Sequence, residues 1–224
     1  MLLFGLWLVV IGAGIWLGVA FRPTSVNLAI PGANGYYTYT GPRGLPLAVG
    51  APWGTSCKPI VFTVERNIPA AIYQQMHGVV LDARAAGVDV TLENINGQWY
   101  PESLYPPGLV NAKVEFIPIY VSSSKPPTSS GGYPGRIYFG WDTKVSPNGT
   151  HEVLTDLQAT LYLKSVSGGP YLIRKSMRQL IAISLGVSTS TLRSSVITDG
   201  SNVDSFSSGD MTAMRLMSGC SRVS

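Results

Sequence analysis

PYLIRKSMRQLIAISL, Pro170 to Leu185, followed by Gly186, is the stretch on which the reading of the fold turns. Ile173, Met177, Leu180, Ile181 and Leu185 recur at helical spacing and mark the apolar face of an amphipathic helix. Pro170 suits the first helical position, and Gly186 suits the residue that leaves the helix. Arg174 and Arg178 stand four residues apart and share a face, with Lys175 beside them. They form a basic patch, a candidate contact for an acidic peptide or a lipid head group. The plainer reading of that patch is a solvated helix face.

Downstream, Val187 to Asn202 is rich in Ser and Thr and reads as a loop. Ser207-Ser208-Gly209-Asp210 then caps a short closing helix, MTAMRLMSG, with Asp210 near the positive end of its dipole. Upstream, five segments read as strands: Pro59 to Glu65, Val88 to Glu93, Lys113 to Ser122, Arg136 to Trp141 and Ala159 to Lys164. Pro118 argues that the third lies at a sheet edge or carries a bulge. Between the first two, a helix opened by Pro69 and closed by Gly87 carries Ile72, Met76, Val79, Val80 and Ala83 on one face. Asn94 to Pro107 and Ser123 to Gly135 read as loops, and Asn148-Gly149-Thr150 as a turn that is also a glycosylation sequon. The order strand, helix, strands, helix, loop, helix predicts an α+β domain over residues 57–224. Its expected form is a twisted mixed β-sheet backed by two long helices, with a short C-terminal helix.

Residues Met1 to Phe21 carry no charged side chain. A helix of that length rises about 32 Å, enough to cross a bilayer core. Gly18-Val19-Ala20 is similar to a small-x-small cleavage site, which leaves a signal peptide open. No Lys or Arg precedes the run, and it exceeds the usual length of a signal's apolar core, both of which favour an uncleaved transmembrane anchor. The flanking charges alone would place the C-terminus in the cytoplasm. Residues 22–56, rich in Gly, Pro and Tyr, read as a linker or loosely packed arm whose tyrosines Tyr36, Tyr37 and Tyr39 could dock on the domain.

The layout from Cys57 to Cys220 resembles the catalytic domain of matrixin-like zinc metalloproteases of the metzincin clan. In that family an early strand and a long helix precede further strands. A strand then leads to a helix bearing His-Glu-x-x-His-x-x-Gly-x-x-His, followed by a Met-containing turn and a capped closing helix. The corresponding pieces here are IVFTVE, the Pro69 helix, the Ala159 strand, the Pro170 helix, the Ser195-Val196-Ile197 turn and FSSGDMTAMRLMSG. The resemblance implies the fold but not the chemistry. Two imidazoles one turn apart, with a third further on, hold the zinc in such a site, and the glutamate is the base on its bound water. In one register the three histidine positions fall on Arg178, Ala182 and Ser188, with Gln179 at the glutamate. With Gly186 as the motif glycine they fall on Gln179, Ile183 and Thr189, with Leu180 at the glutamate. Ile197 stands at the Met-turn position. The resemblance therefore implies a pseudoenzyme without catalytic residues, metal or cofactor. The alternatives are an active peptidase using ligands outside the motif, and an exported structural domain of unrelated α+β fold.

Composition narrows the remaining chemistry. The chain of 224 residues has 16 Lys+Arg against 12 Asp+Glu, a net charge of +4, with no basic block, so no nucleic-acid partner is expected. Hydrophobic residues make up 45%, which rules out disorder throughout. Two cysteines exclude a disulfide-dense scaffold. Cys57 and Cys220 stand at the two margins of the domain, and a bridge between them is expected in an exported chain. That bridge, against the flanking charges, argues for an extracytoplasmic domain. His77 and His151 are too far apart for a compact metal motif. His77 reads as a partly buried helix residue, and His151-Glu152 as an exposed turn rather than an acid–base pair. Trp99, Tyr100, Tyr105, Tyr133, Tyr138 and Trp141 are either core or a candidate surface for a peptide, protein or glycan ligand. The partners expected are thus a membrane, through Met1 to Phe21, and a peptide or protein.

Overall fold

The computed structural model describes residues 28–65, 68–95, 115–122, 135–146, 149–162, 169–198 and 201–220. The apolar segment Met1 to Phe21, the loop aromatics Trp99, Tyr100, Tyr105 and Tyr133, and Asn148 lie outside them. Among the described residues no helix is long and apolar enough to cross a membrane.

The chain is α+β. Its larger sheet has five strands: β3 (Ile60–Glu65), β4 (Val90–Ile95), β5 (Glu115–Ser122), β6 (Gly135–Ser146) and β7 (Gly149–Tyr162), in the order β4-β3-β5-β7-β6. The first four strands in that order run parallel, and β6 runs antiparallel to β7 at one edge. Parallel neighbours need a crossover, and the helix α1 (Ala70–Ala85) supplies the one between β3 and β4. Helix α2 (Pro170–Ser184) follows β7, and α3 (Ser208–Ser218) closes the chain. Phe62, Ile117, Ile119, Leu157 and Ala159 from the sheet meet Val79, Val80 and Ala83 of α1 and Met177, Leu180 and Ile181 of α2 in one hydrophobic core.

Three expectations need correction. Pro118 is neither at an edge nor at a bulge, because β5 lies between β3 and β7. The ladder to β7 starts one residue later, at Ile119, so Pro118 pairs only with Thr63 of β3. The strands expected at Arg136 to Trp141 and Ala159 to Lys164 extend toward each other into one long hairpin, continuous through a register shift at Gly140/Trp141. The polar alternation of residues 142–156 had concealed it.

The largest departure concerns residues 28–56, which are not a linker. They form β1 (Leu28–Ala29) and β2 (Tyr36–Thr38), which pair antiparallel with each other. β2 also pairs with a strand inside the expected Ser/Thr loop, β8 (Val187–Ser190). Tyr36, Leu47 and Trp53 of this arm are buried in the common core. The arm also completes α2. A helix leaves its last carbonyls without intrahelical partners. Here Trp53 Nε1 donates to Ser184 O at 2.7 Å, and Thr38 Oγ1 donates to Gly186 O at 2.9 Å. Gly186 leaves the helix at φ 86°, and a side chain there would press on Met217 Cε and Leu47 Cδ1.

Cys57 and Cys220 form the expected disulfide, with Cα atoms 4.6 Å apart and a sequence separation of 163. It ties the end of the arm to the end of α3.

Candidate functional site

The residues singled out on the late helix sit at the centre of the molecule. α2 buries Ile173, the run Ser176 to Ala182, and Ser184, so it is covered well beyond one apolar stripe. Leu180 and Ala182 are core. Gln179 is buried, and its Oε1 has no hydrogen-bond partner. Ser188 is partly buried on β8, where its Oγ donates to Tyr37 O at 3.0 Å. Thr189 pairs with Tyr37 across the β2–β8 ladder. Gly186, the motif glycine in the second register, follows the C-cap residue Leu185 of α2. That register offers an amide, two aliphatic side chains and a hydroxyl. These residues do not fit a zinc ion: no imidazole, thiolate or carboxylate is among them. Among the described residues no group of three or more His, Cys, Asp and Glu could hold a metal.

The basic patch is not an open surface. Arg178 is 5% exposed and points at α1. Its Nη2 donates to Asp82 Oδ2 at 2.9 Å, and its guanidinium lies 5.6 Å from the Phe206 ring centroid. Its Nε and Nη1 have no hydrogen-bond partner. Burial disfavours the cation and lowers its pKa, against which Asp82 acts. Arg174 bonds Asp204 Oδ2 through Nε and Nη2, at 3.2 and 2.6 Å, and Gln75 Oε1 through Nη1 at 2.9 Å. The hydrogen bond from Arg174 holds the Asp204 carboxyl below its ordinary pKa of 3.8. Lys175 Nζ and Tyr171 OH both donate to Ser201 O. Both sequence readings of this patch, ligand contact and solvated face, give way to a clamp joining α1, α2 and the segment 201–206. Helical spacing showed that the arginines share a face, but not that another helix covers it.

The clamp has a testable asymmetry. Asp82→Ala leaves a buried cation without its carboxylate partner. The expected cost is about 1–3 kcal/mol, below the figure for a fully buried pair because Asp82 is largely exposed. Arg178→Met fills the same space with no unpaired N–H and is expected within about 1 kcal/mol of the parent. Urea titration of both variants checks the contrast, and equal losses would refute it.

A second polar cluster lies at the turn 195–197. Asp210 of α3 is fully buried. It accepts from Ser195 Oγ at 2.5 Å, Val196 N at 3.4 Å, and Ser207 N and Oγ at 2.8 and 2.9 Å. Ser207 Oγ in turn accepts from Asp210 N, completing a capping box. Tyr36 OH from the arm reaches Ser207 Oγ at 3.2 Å, and burial raises its pKa. A side chain at Gly209 would collide with the Tyr36 ring, so a glycine occupies the first turn of α3. The cap, the turn at 195–197 and the docking of Tyr36 were legible in sequence; that they meet at Asp210 was not.

The remaining candidates are dispersed. Glu152 is 1% exposed, because it faces the arm rather than a turn, and its Oε1 accepts from Arg43 N at 3.0 Å. Gly41 packs directly on its carboxylate. His151 is partly buried and pairs with Lys144 across the hairpin. Successive strand residues point to opposite faces, so the two cannot act as a pair. His77 stacks on Tyr73 with centroids 5.8 Å apart. Tyr138 is exposed on β6, whereas Trp141 is partly buried and packs on Phe139, which packs on Tyr39 of the arm.

The molecule so defined is mixed α+β with, among the described residues, two sheets, the buried helix α2 and a disulfide from the end of the arm to the end of α3. No protein-family model matches the chain, and no curated protein matches it in sequence.

Proposed function

We propose that this chain is a metalloprotease-like pseudoenzyme, held outside the cytoplasm by its N-terminal segment or secreted, with a binding or structural role. The observation that carries the proposal is the identity and packing of the helix positions where the resemblance calls for ligands. Gln179 and Leu180 are buried, Ile183 packs on the core, and Thr189 is tied into a ladder with Tyr37. None of these side chains can donate to a divalent ion as the family's motif does. Support for the ancestry comes from the order of elements. A strand and long helix, further strands, a strand before the central helix, a buried turn and a boxed closing helix occur in that sequence. The disulfide supports an oxidising compartment. A peptide ligand would add to the edge strand β6, beside the exposed Tyr138.

Metal analysis of the purified full chain, with thermal melts in the presence and absence of a chelator, tests this reading. We expect no stoichiometric zinc and no change in melting temperature on chelation. Stoichiometric zinc, or a chelator-induced drop, would favour an active peptidase with ligands outside the motif.

A further inference from the structure

Seven large hydrophobic side chains are exposed among the described residues, and four of them, Leu28, Val49, Leu192 and Leu216, lie on the arm, just after β8 or on α3. The turn 31–35 of the arm brings two of these together. A methyl group built on Gly32 would lie 3.4 Å from Leu216 Cδ1, and one on Gly35 would lie 3.0 Å from Leu192 Cγ. The same turn is pinned by Thr191 N donating to Gly35 O at 2.9 Å. Gly50, next to Val49, packs against Gly219 beside the disulfide. Scattered exposed leucines are ordinary on a protein surface. Here Leu192 and Leu216, both beside the arm turn, each adjoin an arginine in sequence, Leu192-Arg193 and Arg215-Leu216, and Arg215 Nε also donates to Met211 O at 3.2 Å.

Acidic charge is scarce at this end. From Arg22 to Val64 the sequence has no Asp or Glu. After Gly186, Asp204 is paired with Arg174 and Asp210 is buried; Asp199 lies outside the described residues.

The chain itself sets how far this end can lie from a membrane. Seven residue steps separate Phe21, the last residue of the apolar segment, from Leu28, the first of β1. Fully extended, they span at most about 25 Å. A domain of this size has a radius of gyration of roughly 16 Å and is about 40 Å across. A tether that short cannot pass around the domain, so the side bearing β1 faces the bilayer.

We propose that the end of the domain formed by the arm turn, Leu192-Arg193 and Arg215-Leu216 rests on the membrane surface. Leu192 and Leu216 dip into the interface, and Arg193 and Arg215 sit at the level of anionic lipid phosphates. The occupant of this apolar face is the bilayer. The inference rests on the reading of Met1 to Phe21 as a retained membrane segment.

The test uses the full chain reconstituted into phosphatidylcholine vesicles with and without phosphatidylserine. A photoreactive benzophenone side chain replaces Leu192, Leu216 or, as a control of comparable exposure on α1, Leu81. Flotation with the vesicles reads the anchor, and lipid adducts found by mass spectrometry read the face. The expected result is several-fold more lipid adduct from positions 192 and 216 than from 81. Phosphatidylserine should raise the yield, and Arg193→Glu with Arg215→Glu should abolish that increase. A chain that floats but labels lipid equally, or not at all, from the three positions overturns the proposed face and leaves the anchor standing. Adducts to a second protein copy from 192 and 216 also overturn it, in favour of a protein interface. A chain that does not float removes the anchor, and this inference with it.

Discussion

Asp210→Ala is expected to lower stability by about 3–5 kcal/mol, which for a domain of this size is roughly 10–15 °C in melting temperature. Asp210 is fully buried, and its two oxygens receive Ser195 Oγ, Val196 N, Ser207 N and Ser207 Oγ. Alanine removes every one of those acceptors at once. A cap lost at a helix N-terminus costs about 1 kcal/mol. Each buried donor left unpaired adds about 1–3 kcal/mol, less where it rotates toward another acceptor. Asp210→Asn keeps one carbonyl oxygen and is expected to lose less than half as much. Tyr36→Phe, which removes only the outermost hydroxyl of the cluster, is expected to cost about 0.5–1.5 kcal/mol. Chemical denaturation of the three variants gives the ranking. An Asp210→Ala loss no larger than that of Tyr36→Phe would show that the cluster is not cooperative.

Cys57→Ser is expected to be comparably costly under oxidising conditions. The bridge closes a separation of 163 residues. In the chain-entropy description a loop of that length restricts the unfolded chain by about 5 kcal/mol, whatever contacts it adds when folded. The bridge also holds the arm in place. Cys57 N donates to Ser218 O at 2.6 Å, so the arm and α3 are joined by a backbone bond at the same point. Loss of the bridge should therefore loosen the arm before the five-stranded sheet. Hydrogen exchange should show early deprotection at β2 and β8, with β3 and β5 protected. A parent protein treated with reductant should behave like the variant. Unchanged melting in both would remove the disulfide from the stability of this fold.

Local pattern was a good guide wherever a segment's own periodicity decided its state. The helix from Pro69 to Gly87 and the helix from Pro170 stand within a residue or two of where spacing and end signals put them, and the closing helix begins at Ser208, three residues before the expected Met211. The strand IVFTVE is as read. The misreadings of the arm, of β8 and of Glu152 share one cause. Residues 28–56 have no period because their side chains are buried by distant elements rather than by a regular face. Tyr36 lies against α3, and Trp53 bonds the last turn of α2. β8 reads as a Ser/Thr loop because its partner, β2, lies about 150 residues away. Glu152 was misplaced for a related reason: its neighbours His151 and Thr150 suggest a turn, but the arm covers one face of that strand.

The candidate site divides along the same line. Composition and spacing alone determined that the central helix carries no imidazole or carboxylate where a zinc hydrolase would need them, since a ligand set is a matter of residue types. They also pointed to the bridge between Cys57 and Cys220 and to the cap of the closing helix. Only the tertiary structure decided that Arg178 is buried against α1 and Arg174 paired with Asp204, that the arm seals the end of α2, and that Asp210 joins three separate segments. Each of those depends on which surfaces meet in three dimensions. Burial of a charge is set by the neighbours that cover it, and here Arg178 meets Asp82 and Glu152 meets the arm, each from a remote part of the chain.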